Sequence, residues 1–486
     1  MAHDFLNGEY LHRFSDKLKI EALQAALNSA HKSGNPTEAK GFFGGISILW
    51  AKDLQNFILR LESSAPMKFL MQPPTRKFML TPRRELFLKL LFGATVFFLS
   101  LSCGPSIVRF QPTQADFSFV AIGDVGEAGD ILKHNAAVMR KMYREDKFHA
   151  LIFLGDNFYP IGLNIPRAKV AKKIKSVLDP FNEVTNSLGR PQVHALAGNH
   201  DYYAFLAVDF KLPLNIYSVQ TAPYGISDLG NQRADTIRAW TYYKGLPQTV
   251  LYGPDTNKIQ MIFLDSALPL RTDTTTWQPA LDSLHQLLAA HKQNDSVKWR
   301  LLFLHHPFYT LGPHGGYKHW DEEANTVRYL NPCSKDSNAV DFAVNLLDPE
   351  DTCAPKYQAY MRAVQAVIAR SGVAVQAAIA GHEHVLQLAY KNTGHPKVHV
   401  VSGAGAKASR VKAGNPQRQE YTWWNSFDPD DNVKKKGISK YGFVRFDLKG
   451  QNLELRFYDG ETGDVLAAEG EKKVFVINRA GELSLR

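Results

Sequence analysis

The sequence predicts an α/β fold. Seven apolar runs of four to eight residues, rich in β-branched and aromatic side chains, stop abruptly at glycine or polar residues. Buried strands read this way. Stretches of helical period lie between several of them, and strands alternating with helices are the signature of this class. The bulk composition agrees: 486 residues, 44% hydrophobic and 21% charged, is an ordinary globular balance that excludes a disordered chain, a collagen-like fibre and a small disulfide scaffold.

Taken in order, Phe117–Ile122 runs into Gly123 and Asp124, and Ala150–Leu154 into Gly155, Asp156 and Asn157. Val193–Ala197 ends at Gly198-Asn199-His200-Asp201, and Gln260–Leu264 at Asp265. Trp299–Leu304 ends at His305-His306-Pro307, Val373–Ala380 at Gly381-His382-Glu383-His384, and Val398–Val401 at Ser402-Gly403-Ala404-Gly405. Between them, Ile131–Tyr143 carries apolar residues at Ile131, Leu132, Ala136, Met139 and Tyr143, and Leu281–Ala290 and Tyr357–Ile368 share that period. Two stretches break the pattern. Residues 312–356 are long and polar and read as an insertion, at about 317–356, holding Cys333 and Cys353. Residues 407–438 are rich in lysine, asparagine and aspartate around Trp423 and Trp424. Alternation then returns at Gly442–Phe446 and Leu453–Phe457, across Lys449-Gly450, as a closing hairpin.

The N-terminal part reads differently. Arg83, Arg84 and Lys89 precede an uncharged apolar run, Leu90–Leu101, and small residues lead to Cys103. Residues 79–103 therefore read as a secretory signal; the run is shorter than the roughly 20 residues a membrane-spanning helix needs. The closing cysteine resembles the lipobox of bacterial lipoproteins, in which that thiol carries lipid, although Ser100 stands where leucine is usual. A plain signal peptide and an uncleaved anchor are the alternatives. A signal belongs at the extreme N-terminus, so residues 1–78 are expected to be an over-extended reading frame, with translation starting at Met67, Met71 or Met79. Residues 104–115 read as a linker and 116–486 as one large folded domain. The expected product is exported: a lipoprotein attached to a membrane through Cys103, facing the periplasm or the cell surface, or else secreted. With Cys103 lipidated, Cys333 and Cys353 would pair as a disulfide worth about 3 kcal/mol in the chain-entropy account, or remain two thiols.

Lysine and arginine number 57 against 47 acidic residues, a net +10. Half of that excess lies in residues 1–102. What remains for the larger part gives little support to a nucleic-acid partner and mildly favours anionic substrates.

In an α/β fold, ligands gather at the carboxyl ends of the strands. The residues ending these runs, Asp124, Asp156, Asn199, His305, His382 and His384, with Tyr159 three places after Asp156, should therefore meet on one rim. The set offers oxygen and imidazole donors and no thiolate, which favours Fe, Mn or Zn in an open site. Its size suits two ions about 3.5–4 Å apart, an arrangement that activates water and clamps a phosphoryl group.

These blocks resemble, in order and number, those of the calcineurin-like metallophosphoesterases: Asp124 after a strand, Gly-Asp-Asn at 155–157, Gly-Asn-His-Asp at 198–201, His305, and Gly-His-Glu-His at 381–384. Most of that superfamily carries a histidine two residues after the first aspartate, where this chain has Gly126. In the purple acid phosphatases a tyrosine fills the gap, and Tyr159 matches it. Within them the chain is similar to the small, tartrate-resistant type. The resemblance implies a metallophosphoesterase-type β-sandwich flanked by helices, in αββα layers, with a dinuclear site at the strand ends. It implies that Asp124, Tyr159 and His384 bind Fe(III), that Asp156 bridges, and that Asn199, His305 and His382 hold a second, divalent metal (Fe, Zn or Mn). His200 would be the general acid, and His314, nine residues after His305, would orient phosphate or assist protonation. His306 receives no role. The implied activity is acid phosphatase, hydrolysing phosphomonoesters by in-line attack of an Fe(III)-activated hydroxide with no covalent enzyme intermediate. Two other readings stay open: a Mn or Zn phosphodiesterase or nucleotide hydrolase of the same fold, and a surface lipoprotein that binds metal or phosphate without turnover. The insertion at 317–356 either shapes substrate choice or serves stability alone.

Overall fold

The computed structural model describes Phe110 and residues 113–486, apart from 187–188, 206–207, 211–218, 222–223, 316–318, 322–325, 329–349, 353, 410–421, 427–437 and 469. The extension 1–78, the signal-like segment with Cys103, most of the linker, both Cys333 and Cys353, and most of the insertion lie outside the described residues. Among the described residues no helix is long and apolar enough to cross a membrane.

Along the chain run β1 (Phe117–Ile122), α1 (Asp130–Glu145), β2 (Ala150–Phe153), α2 (Arg167–Leu178), β3 (Gln192–Leu196), β4 (Thr241–Tyr243), β5 (Gln248–Tyr252), β6 (Lys258–Leu264) and α3 (Trp277–Ala290). They are followed by β7 (Val297–Leu304), α4 (Pro355–Ser371), β8 (Ala377–Ala380), β9 (Leu386–Tyr390), β10 (Val398–Ser402), β11 (Thr422–Asn425), β12 (Gly442–Lys449), β13 (Asn452–Asp459), β14 (Phe475–Asn478) and β15 (Leu483–Leu485). An eight-stranded sheet has the order β15-β14-β13-β12-β1-β2-β3-β4, and a seven-stranded sheet the order β11-β9-β10-β8-β7-β6-β5. In the first sheet β1, β2, β3 and β4 are parallel. In the second β6, β7, β8 and β10 are parallel.

The period-2 alternation of the strands divides the core into layers. Phe119 and Ala121 of β1 face Met261 and Phe263 of β6 and Phe303 of β7 between the sheets. Phe119 stacks on Phe446 at 4.6 Å and meets Phe303 edge-on at 5.8 Å. The other face of β1, Val120 and Ile122, packs under Leu132, Ala136 and Met139 of α1. On the far side, Ile262 and Leu264 pack under Leu284 and Leu288 of α3 and Tyr360 and Val364 of α4. The result is the αββα layering expected from the sequence. Each fully buried Leu, Ile or Phe in these layers contributes roughly 1.5–3 kcal/mol.

Element limits differ from the sequence reading in ways that caps and registers explain. α4 starts earlier, at Pro355, because a proline's missing N–H is harmless in a helix's first turn. It ends at Gly372 in the left-handed region, φ 64°. β8 begins only at Ala377, opposite Leu301 of β7, since residues 373–376 carry the chain out of that cap. The closing hairpin extends to eight residues a side and continues into β14 and β15, which the sequence reading missed. Trp424 packs on Phe457, with ring centroids 4.4 Å apart, and its Nε1 donates to Ala467 O at 3.2 Å.

Candidate metal centre

The two sheets present the carboxyl ends of their parallel strands to the same rim. Asp124 follows β1, Asp156 and Tyr159 follow β2, and Asn199 and His200 follow β3. From the opposite sheet, His305 follows β7, and His382 and His384 follow β8. Two bonds tie the edges together: Gly123 N donates to Ser402 O at 2.7 Å, and His382 N donates to Asp124 Oδ2 at 2.8 Å. Three of the strand-end residues, Asp124, Asp156 and His382, sit in the left-handed region with φ of 60°, 52° and 70°. Such conformations cost about 1–3 kcal/mol each and persist where the surrounding structure enforces them.

Tyr159 reaches the first aspartate directly. Its hydroxyl donates to Asp124 Oδ1 at 2.9 Å and lies 3.0 Å from His384 Nε2; His384 Nε2 is 3.6 Å from Asp124 Oδ1. Gly126 explains why tyrosine fills this place. A Cβ there would stand 2.6 Å from Tyr159 N, and 2.7 Å from both Asp156 O and Phe158 N. The loops after β1 and β2 are zipped at that point by Gly126 N to Asp156 O and Tyr159 N to Gly126 O, both 3.0 Å. No side chain can grow from residue 126 into the site. Gly155, at φ 93°, makes similar room for the His305 ring, whose Nδ1 would lie 2.5 Å from a Cβ.

On the other side, Asn199 Oδ1 lies 2.8 Å from His305 Nε2 and 3.2 Å from His382 Nδ1. His305 Nε2 is also 3.4 Å from Asp156 Oδ1. The outer partners set the tautomers. His305 Nδ1 is 2.7 Å from Leu154 O, and His382 Nε2 is 3.1 Å from Glu350 O. A carbonyl only accepts, so each of those nitrogens carries the proton and the inner nitrogen of each neutral ring presents a lone pair. Asn199 Nδ2 donates to Glu350 Oε1 at 2.7 Å, which turns the amide oxygen inward. Lone pairs of His305, His382 and Asn199 thus converge with no hydrogen between them, which is the donor arrangement of a cation site. Ligand atoms of Asp124, Asp156 and His305 all lie within 4.8 Å of one another, as do those of His305, His306 and His382. His306, to which no motif assigns a role, comes this close; its Nδ1 pairs with Ser266 at 3.0 Å.

The electrostatics of the cluster point the same way. Burial and the neighbouring Asp156 carboxylate push Asp124 well above the usual carboxylate range. Burial also drives Asp156 up, but His305 and His200 outweigh it and hold that carboxyl low. Burial and the two aspartates raise the Tyr159 phenol. Burial holds His382 well below its ordinary value and His384 down at about 3, so neither ring takes a proton. A carboxyl pushed up by burial beside a second carboxylate marks a place where a bound cation would supply the missing positive charge.

Two histidines stand at the rim. His200 Nδ1 donates to Pro160 O at 2.6 Å, and its Nε2 lies 3.9 Å from Asp156 Oδ2. Its backbone N–H donates to Asp156 Oδ1 at 2.9 Å. Burial lowers its pKa. His314 stacks on His382 at 4.4 Å, and its Nδ1 pairs with Asp351 at 2.9 Å. Against the pull of burial, Asp351, Glu383 and Glu350 hold His314 up at about 9. All nine residues named from the sequence are therefore brought to one place. The sequence reading missed Glu350, Arg271, Tyr203 and Lys407, whose Nζ lies 4.0 Å over the Tyr159 ring. No motif announces them.

The sequence pattern described as calcineurin-like phosphoesterase matches residues 117–386. Among solved structures, the chain is similar to GAP50, the anchor in the inner membrane complex of Plasmodium: 14% identity over 72% of this chain and 86% of that one, TM-score 0.42. It is similar to a dimetal phosphatase from Danio rerio at 15% identity over 75% of this chain and 100% of that one, TM-score 0.37. It is similar to PhoD at 12% identity over 76% and 71%, TM-score 0.41. No curated protein sequence matches it.

Proposed function

The chain belongs to the calcineurin-like phosphoesterases, and from that premise we propose that it is a metal-dependent acid phosphatase of the purple type, hydrolysing phosphomonoesters at an Fe(III)–M(II) pair. The observation that carries this reading is Tyr159, held 2.9 Å from Asp124 Oδ1 and 3.0 Å from His384 Nε2 where Gly126 leaves no room for any side chain. Phenolate is a hard oxygen donor that suits Fe(III) better than Zn or Mn.

In this reading Asp124, Tyr159 and His384 would hold the iron, Asn199, His305 and His382 would hold the divalent ion, and Asp156 would serve both. When bound, the pair supplies Lewis acidity toward a water and toward the phosphoryl oxygens. The chain's own groups do the rest. His314, beside the His382 ring, orients the phosphate. His200 keeps its Nδ1 proton on Pro160 O, which aims Nε2 at the leaving group. Water adds to phosphorus and the ester P–O bond breaks; His200, protonated on both ring nitrogens in acid, gives its Nε2 proton to the departing alkoxide, and the product phosphate keeps the water's protons until one returns to His200.

The visible spectrum of the iron-loaded full chain tests this, beside its Tyr159→Phe variant and with turnover of an aryl phosphate at acid pH. A tyrosinate-to-iron band and turnover in the parent, with the band lost in the variant, are expected. A colourless parent that still binds two metals and cleaves phosphodiesters would sink the proposal in favour of the Mn or Zn reading.

A further inference from the structure

Glu350 touches two residues on the divalent-ion side of the site, Asn199 and His382. Its carboxylate oxygen Oε1 accepts from Asn199 Nδ2 at 2.7 Å. The same oxygen accepts from the Tyr203 hydroxyl and from Arg271 Nη2. Arg271 Nη2 also donates to the Tyr203 hydroxyl at 2.8 Å, and its guanidinium lies 4.7 Å over the Tyr203 ring. The pair is well covered, with side-chain exposures of 6% for Arg271 and 16% for Glu350. Glu350's backbone carbonyl separately accepts from His382 Nε2 at 3.1 Å.

An amide offers a metal its oxygen only if the NH₂ is occupied elsewhere, and a flipped Asn199 would aim its N–H donors at the ion. A neutral imidazole offers Nδ1 only if Nε2 carries the proton. Both conditions are met by one residue. The carboxylate takes the Asn199 NH₂, and the carbonyl takes the His382 Nε2 proton. We propose that Glu350, clamped by Arg271 and Tyr203, is the positioning residue of the second metal subsite, fixing the amide orientation of Asn199 and the tautomer of His382 together. This rests on the assignment of Asn199 and His382 to the divalent ion.

The alternative for an acidic side chain held by an arginine, a tyrosine and an amide beside such a site is a stand-in for substrate phosphate. The two differ in what removing the carboxylate does. A positioning residue, once removed, weakens metal binding; an occupant, once removed, leaves metal binding alone and tightens phosphate binding.

The test is competitive titration of Mn²⁺ or Zn²⁺ against a fluorescent chelator, on the metal-depleted full chain, for the parent, Glu350→Ala, Glu350→Gln and Asn199→Ala. Inorganic phosphate binding is measured on the same proteins. Glu350→Ala is expected to weaken the second equivalent about 10–100-fold and leave the first unchanged, the usual loss when a ligand's outer partner is removed. Glu350→Gln keeps a side-chain acceptor for Asn199, so it should lose less than Glu350→Ala, both variants retaining the backbone carbonyl for His382; it also serves as the readout if the alanine variant fails to fold. Parent-like binding of the second equivalent by Glu350→Ala, with Asn199→Ala impaired, overturns the inference alone; tighter phosphate binding in that variant would identify Glu350 as the occupant. Parent-like binding by Asn199→Ala would instead overturn the assignment of the second subsite, and the inference with it.

Discussion

At the scale of single residues, the chemistry turns on which atoms have room. Gly126 stands where most of the superfamily has a ligand, and the structure shows that the loss is built in: the backbone of residues 156–159 occupies the space a side chain would need. Tyr159 enters from the adjoining loop instead. The two loops behave as one unit, so Gly126→Ala should fail in two ways at once. With Cβ contacts of 2.6–2.7 Å to backbone atoms, something must move, which overpacking data put at about 1–3 kcal/mol; the same shift should displace Tyr159 and, on the proposed reading, remove the tyrosinate-to-iron band. Urea denaturation and the visible spectrum of the variant check both effects. A variant as stable and as coloured as the parent would mean the loops are not tightly coupled. The strand-end ligand types were legible at this scale because each follows an apolar run directly. Glu350 was not, because it follows a long polar stretch and its importance lies entirely in partners 32 to 151 positions away.

At the scale of elements, the strands that carry the site also carry a buried charge ladder away from it. In the β12–β13 pair, Arg445 faces Arg456 and Asp447 faces Glu454. Like charges directly opposite are unfavourable, yet Asp447, with no exposure, resolves the conflict diagonally. Its Oδ1 accepts from Arg445 Nε and its Oδ2 from Arg456 Nη1, both at 2.9 Å, while Arg445 also pairs with Asp146 at 2.8 Å. Asp447→Ala would leave Arg445 buried with half its partners, and should cost about 3–5 kcal/mol. Chemical denaturation measures it, and a loss below 1 kcal/mol would show that the pocket rehydrates. The alternation at 442–446 and 453–457 announced the hairpin. The ladder was invisible there, since alternation says which residues share a face and not which residues of another strand they meet.

At the scale of the whole molecule, the interface between the two sheets contains a titratable joint. His194 of β3 is buried, with Nδ1 2.9 Å from the Tyr243 hydroxyl and Nε2 2.6 Å from the Tyr252 hydroxyl, which belongs to the opposite sheet. It stacks on Phe263 at 5.1 Å. Burial pulls its pKa down to about 4, against about 6.5 in the unfolded chain. Between those values the unfolded state binds the proton and the folded state does not, so stability falls as the pH drops from about 6.5 toward 4, by on the order of 3 kcal/mol in all. On the proposed acid-phosphatase reading, this sets a limit on working conditions. Urea unfolding at pH 7 and pH 4.5 should show His194→Gln losing less stability on acidification than the parent; equal losses would remove His194 from the account.

The sequence by itself determined the fold class, the rim and the donor types, because burial and strand termination are local: an apolar run must stop somewhere, and the polar residue that stops it points outward at the strand's end. The structure alone decided that this rim is shared by two sheets, Asp124, Asp156, Tyr159 and Asn199 coming from one and His305, His382 and His384 from the other. It alone decided that Gly126 has no room, and that Glu350 with Arg271 braces Asn199. Those outcomes depend on the packing of one sheet on another and on hydrogen bonds between residues far apart in the chain. Their energy is gained only once both partners are buried together, and no local pattern records it.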